Sequence, residues 1–190
     1  MSSLLDEANE VGIPLEEYVI RVVTQPKGTK LAYAEYIGVR CASNSCVIKM
    51  DGDGQHPFNI LHEMVKSSDS SDIIIASRYS KGGGSNWQVS RSIISRTATF
   101  ICKVFIKSTR GVADPLSGLF LISKDLIPEK EPYKNGFKYL LFVLSKNRSD
   151  KITIVPYYIN KRQIGNSKIT TNIISMVKNF IIEVLYDIRV

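Results

Sequence analysis

The segment Asp72-Ile73-Ile74-Ile75-Ala76-Ser77 sets four apolar residues in a row without a polar break. A strand with one wetted face alternates apolar and polar side chains, so a run of this kind belongs to a strand covered on both faces. Such cover comes from helices on either side of a sheet, and helical and strand-like stretches alternate along the rest of the chain. The expected architecture is α/β, a doubly wound sheet. With 190 residues, 44% of them hydrophobic, there is material for one such domain with a real core.

Residues 1–17 read as a polar, partly helical lead-in and 18–24 as a strand ended by the turn Pro26-Lys27-Gly28-Thr29. Ala34, Gly38 and Ala42 recur every four residues, which puts small side chains on one helix face and lets it approach a sheet closely. Residues 46–50 form another apolar run, and Pro57 opens a helix that reaches residue 67. Gly82, Gly83 and Gly84 fall in a loop, 80–86, expected to be mobile. The helix after it carries Arg91 and Ser95 on one face and Arg96, Lys103 and Lys107 on a basic stripe, with Ile93, Ile94, Ala98, Ile101 and Phe105 elsewhere. An apolar helix with a basic stripe suits the plane of a membrane surface. Asp114-Pro115-Leu116-Ser117-Gly118 is a turn entering a strand at 119–122, followed by a helix at 136–145, a β-rich run at 152–159 and a basic loop at 161–168. Ile173, Val177, Phe180, Ile181, Val184 and Ile188 keep helical spacing in a closing amphipathic helix, 171–190.

The net charge of +7 is unevenly placed. Between residues 73 and 113 lie Arg78, Lys81, Arg91, Arg96, Lys103, Lys107 and Arg110 and no acidic residue, which points to a bound anion or a charged membrane surface beside this segment. The basic residues lack interleaved aromatics and any recognised binding motif, which argues against nucleic acid. No apolar stretch reaches the roughly 18 residues of a membrane-spanning helix. Residues 1–12 are acidic and polar, unlike a secretory signal. Cys41, Cys46 and Cys102 have no metal-ligand spacing and are expected to be reduced core thiols of a cytosolic protein; His56 and His62 lack partners for a zinc site.

The strand at 46–50 breaks into Asp51-Gly52-Asp53-Gly54-Gln55-His56-Pro57. Carboxylates at i and i+2 can share a direction, and oxygen ligands with incomplete protein coordination suit Mg²⁺ or Mn²⁺ shared with a diphosphate. Alone, Asp-x-Asp with glycines is equally ordinary turn chemistry. In its setting, strand before and helix after, the segment resembles the metal-binding stretch of family 2 glycosyltransferases, in the dolichol-phosphate mannosyltransferase branch. The resemblance covers roughly residues 19–189, in ordered motifs that include Gly136-Phe137-Lys138 and Gly165-Asn166-Ser167-Lys168.

That resemblance implies a Rossmann-like fold of GT-A type, with a catalytic domain over 1–170 and amphipathic interface helices. It assigns Asp51, Asp53 and Gln55 to the metal and the nucleotide-sugar diphosphate, with Asp53 the direct ligand. Arg78, Arg91, Ser95 and Arg162 match positions that bind the phosphate of a lipid acceptor, and Asp114, Ser117 and Gly118 shape the acceptor side. The implied activity is inverting transfer of a hexose, mannose from GDP-mannose or else glucose from UDP-glucose, to dolichyl or polyprenyl phosphate at the cytoplasmic face of a membrane. The family's two opening strands, which hold base and ribose, have no counterpart in the sequence. Their absence leads to the expectation of an exposed sheet edge that invites a missing N-terminal half or a second copy, and of poor transfer by this chain alone. A non-catalytic module that binds membrane or a partner is the reading from a different class.

Overall fold

A computed structural model of the chain describes residues 21–86, 89–148, 151–160 and 173–189, with side chains in the last segment from 177 onward. In order, the elements are α1 (Leu31–Cys41), β1 (Cys46–Lys49), α2 (Asn59–Lys66), β2 (Ile73–Ser77), β3 (Gly84–Ser85), α3 (Val89–Phe105), β4 (Phe120–Ser123), α4 (Tyr139–Lys146), β5 (Ile152–Pro156), β6 (Tyr158–Ile159) and α5 (Ile173–Arg189).

The apolar run does form the strand expected of it. All five residues of β2 are buried, and successive side chains enter opposite cores. Ile73 and Ile75 pack with Ala32 and Val39 of α1 and with Tyr139, Phe142 and Val143 of α4, while Ile74 and Ala76 pack with Ile60 and Met64 of α2. A third cluster, Cys102, Ile106, Leu116, Leu141 and Val184, fills the seam where α3 and α5 meet α4.

The main sheet has the order β1-β4-β2-β5. β2 and β5 run parallel from Ile73↔Ile152 to Ser77↔Pro156, whereas β4 is antiparallel to both β1 and β2, so the sheet is mixed. Nothing in the run at 119–122 announces its direction, because a buried strand looks alike read either way. The carboxyl ends of β1 and β2 therefore point the same way, on either side of the entry to β4.

Several expectations need revision. Of the strand expected at 18–24, residues 21–24 have no regular structure, while 18–20 and the lead-in at 1–17 lie outside the described residues. The glycine loop is anchored rather than free: Gly84 and Ser85 pair in parallel with Tyr158 and Ile159 in a second, two-stranded sheet. A Cβ on Gly83 would collide with the Ser77 carbonyl oxygen, and one on Gly84 would lie 2.7 Å from the Tyr158 ring. These two glycines answer a close approach, not a need for motion. Of the cysteines only Cys102 is in the core; Cys41 and Cys46 are exposed. Among the described residues no helix is long and apolar enough to cross a membrane.

Candidate active site

β1 ends at Lys49, one residue before the backbone turns into the carboxylate loop. A lysine at the close of an apolar strand needs anionic partners, and Lys49 has two. Its Nζ lies 2.8 Å from Glu35 Oε1 of α1 and 2.5 Å from Asp51 Oδ1, and it also donates to the Gly118 carbonyl at 3.1 Å. Burial pulls the Lys49 pKa down, but Glu35 and Asp51 outweigh it and hold the ammonium charged. Burial likewise works against ionisation of Asp51; His56 and Lys49 overcome it and keep that carboxyl well below the usual carboxylate range. His56 is buried and stacked on Tyr157, its Nε2 3.7 Å from Asp51 Oδ2, with no hydrogen-bond partner at either ring nitrogen. An open cleft of about 710 Å³, lined by Leu31, Ala34 and Gly38 of α1 and by Val47 and Ile48 of β1, ends at Asp51 and Asp53.

Asp53 accepts the backbone N–H of Gln55 at 3.2 Å, an Asx-type contact that shapes the loop. The Gln55 Nε2 donates to the Asn160 carbonyl at 2.9 Å, while Asn160 N–H donates back to the Gln55 carbonyl. The side-chain amide of Gln55 is thereby fixed, with its oxygen left as the acceptor.

At the end of β2, Arg78 and Asp114 form a buried bidentate pair, Nε to Oδ2 at 2.7 Å and Nη2 to Oδ1 at 2.8 Å. Asp114 begins the turn that leads into β4, and each polar group of that turn has a task. Ser117 Oγ donates to the Ala76 carbonyl at 2.6 Å and accepts the Leu119 N–H at 3.2 Å, tying the turn to β2. The Leu116 carbonyl accepts from Lys138 Nζ at 3.3 Å. Gly118 packs directly on the carboxylate loop, where a Cβ would stand 2.7 Å from Asp51 Oδ2. Five consecutive residues thus join Arg78 to Asp51.

α3 reaches this junction through Tyr79, whose hydroxyl donates to Ser95 Oγ at 2.6 Å and whose ring lies beneath the guanidinium groups of both Arg78 and Arg96. Arg91 stands half-buried one turn before Ser95 on α3. The sequence-derived residues Asp51, Asp53, Gln55, Arg78, Ser95, Asp114, Ser117 and Gly118 therefore gather at the carboxyl ends of β1 and β2. Arg162 lies outside the described residues, as does the Gly165-to-Lys168 motif. Lys49, Glu35 and Tyr79 are site residues without a sequence-derived role, and Lys138 stands in the sequence only as part of the Gly136-Phe137-Lys138 motif; the visible signals are that motif and a lysine closing an apolar strand.

The donor set suits a hard divalent cation: carboxylate oxygens from Asp51 and Asp53 and the Gln55 amide oxygen, beside a buried imidazole that faces Asp51 at 3.7 Å and has no hydrogen bond among the described residues. Among the described residues no three His, Cys, Asp or Glu side chains already converge, so a cation here needs ligands from a diphosphate or from water.

Residues 5–127 match the profile of glycosyl transferase family 2. The chain belongs to glycosyltransferase family 2. A dolichol-phosphate mannosyltransferase from Pyrococcus furiosus is 33% identical over 155 residues, covering 80% of this chain and 44% of that protein. The namesake protein of Saccharomyces cerevisiae is 27% identical over 167 residues, covering 83% of this chain and 61% of its own length. The chain thus spans about half the length of these relatives. Among solved structures, glucosyl-3-phosphoglycerate synthase from Mycobacterium tuberculosis, in complex with Mn²⁺, uridine diphosphate and phosphoglyceric acid, superposes with a TM-score of 0.58 at 17% identity over 93% of this chain and 57% of that one. The same enzyme with Mn²⁺, UDP-glucose and glycerol 3-phosphate gives 0.53 at 15% identity over 90% and 56%. Those likenesses establish the Rossmann-like fold of this family.

Proposed function

We propose that this chain carries the reaction centre of a polyprenyl-phosphate glycosyltransferase, moving mannose from GDP-mannose to a dolichyl or polyprenyl phosphate with inversion. The observation that carries this reading is the contact of Gly118 with Asp51, because it sets the carboxylate loop and Arg78 on one turn, as a donor diphosphate meeting an anionic acceptor requires. The names of the relatives support the choice of sugar and lipid.

A phosphate monoester has a second pKa near about 6 and is mostly a dianion at neutral pH, so no side chain need deprotonate it. One of its oxygens attacks the anomeric carbon from the side opposite the diphosphate. The new carbon–oxygen bond forms as the old one breaks, and the electron pair leaves with the nucleoside diphosphate. Asp114 holds the plane of the Arg78 guanidinium, which with Arg91, Ser95 and Arg162 positions the incoming phosphate. Lys49 already neutralises Asp51, which leaves Asp53 as the direct ligand of a divalent cation, Asp51 and Gln55 completing its surroundings. When bound, Mg²⁺ or Mn²⁺ supplies charge neutralisation to the departing diphosphate.

Exposed apolar stripes fit a lipid acceptor. α3 presents Val89, Ile93, Phe100 and Val104 beside Arg96 and Lys103, and α5 presents Val177, Ile181, Leu185 and Ile188 at successive turns. Such faces lie flat on an anionic bilayer surface.

The test is calorimetric titration of GDP-mannose, with UDP-glucose as comparator, into the chain with Mn²⁺ and then with chelator. Metal-dependent binding of GDP-mannose supports the reading, and preference for UDP-glucose changes the donor. A folded chain that binds neither overturns its donor half.

A further inference from the structure

Lys49, Arg78 and Lys138 are cations at the junction of the two half-sites, and the first two are committed. Lys49 holds Glu35 and Asp51, and Arg78 holds Asp114 through two hydrogen bonds. Glu183, the other carboxylate nearby, accepts the backbone N–H groups of Phe137 and Lys138, both at 2.8 Å. Among the described residues the ammonium of Lys138 is left with a single long hydrogen bond, 3.3 Å to the Leu116 carbonyl, although it has three donors to place. Burial and the like charges of Arg78 and Lys49 lower its pKa, and Glu35 and Asp51 offset this only in part. A half-buried ammonium close to two other cations, with its donors largely unspent, is stabilised by an arriving anion.

We propose that Lys138 is a direct binding contact for the phosphate monoester of the acceptor, held between the carboxylate loop and Arg78. This rests on the acceptor reading above. Two observations assign Lys138 to the acceptor rather than the donor. Its one partner, Leu116, belongs to the turn that holds Arg78, and Arg78 weighs on its charge more than Lys49 does. A phosphate oxygen that takes the ammonium's remaining donors also lies beside the guanidinium, so the nucleophile is gripped from two sides.

The experiment titrates farnesyl phosphate, with farnesol and inorganic phosphate as comparators, into the unaltered chain and into Lys138→Met and Lys138→Arg, with circular dichroism to confirm folding. The expected result is binding of farnesyl phosphate that weakens tenfold or more in Lys138→Met and returns to within about threefold in Lys138→Arg, with GDP-mannose binding unchanged. In the unaltered chain, farnesyl phosphate should also slow acylation of Lys138 by an amine-directed reagent, a readout that needs no variant to fold. Inorganic phosphate that protects equally well marks a headgroup site, and protection by farnesyl phosphate alone adds a role for the lipid. Unaltered affinity in Lys138→Met, or acylation indifferent to the ligand, overturns the assignment while leaving the acceptor reading intact. Failure of the unaltered chain to bind any phosphate monoester overturns both.

Discussion

Glu35, Asp51 and Asp114 lie at the carboxyl end of the sheet; Glu183 and Asp187 lie in the seam where α5 packs on α3 and α4. All but Asp51, which is partly exposed, are shielded from water, and their company differs. The first three each meet a cation at 2.5–2.8 Å. In the seam, Glu183 is served by two backbone N–H groups, and among the described residues neither carboxylate oxygen of Asp187 has a hydrogen-bond partner. Lys146 is near, yet it donates to the Asp187 backbone carbonyl at 2.6 Å instead. Burial and neighbouring Glu183 push the Asp187 carboxyl up to about 8, with Lys146 opposing. His56 and Lys49 thus hold the Asp51 carboxyl down against burial, whereas burial outweighs Lys49 and raises Glu35, and in the seam burial raises Glu183 and Asp187 alike. The partners that surround a buried acid decide which way it is pushed.

The comparison breaks most visibly if a sheet-end cation loses its partner. Asp114→Ala strands a buried guanidinium and is expected to cost about 3–5 kcal/mol in urea unfolding. Lys49→Met removes the cation shared by Glu35 and Asp51, at a cost of about 3 kcal/mol at pH 7. That cost shrinks toward pH 4, where the two acids can be neutralised by protons, and unfolding at both pH values checks it. In the seam the sign reverses. The folded state keeps a proton on Asp187 that the unfolded state releases near 4, so stability falls as pH rises from about 4 to about 8. The slope is up to about 1.4 kcal/mol per pH unit, and Asp187→Asn should flatten it. The smallest effect on stability, about 1–2 kcal/mol, is expected for Gly118→Ala, whose methyl must displace Asp51. Its greater consequence should be weakened metal-dependent binding of GDP-mannose by calorimetry.

Elements held by local pattern were legible in the sequence. The run at 73–76 had to be a doubly covered strand; Ala34 and Gly38 do lie on a helix, but Ala42 falls just past its end and the small face lines the open cleft instead of packing on the sheet. Gln55, Arg78, Asp114 and Gly118 could be singled out because the family resemblance orders them along the chain. Their tasks could not be read, since each depends on a partner far away: Arg78 on Asp114, Gln55 on Asn160, Lys49 on Glu35 and Gly118. Gly83 and Gly84 are hard to read for a related reason, because a chain needing room for the Ser77 carbonyl and the Tyr158 ring is written with the same residue as one needing freedom. Lys138 looked like the start of a helix, and only the surrounding ion pairs reveal what it lacks.

The insertion of β4 between β1 and β2 also has a consequence for synthesis. Among the described residues, β1 pairs with β4 alone, and β2 pairs with β4 and β5. Neither early strand has its partner until the chain has been made past Ser123. At about 5–20 residues per second, the stretch from Ser77 to Ser123 takes roughly 2–9 s. For that interval the most apolar segment of the protein waits on the ribosome with both hydrogen-bonding edges bare, which makes its birth the moment of greatest exposure to aggregation.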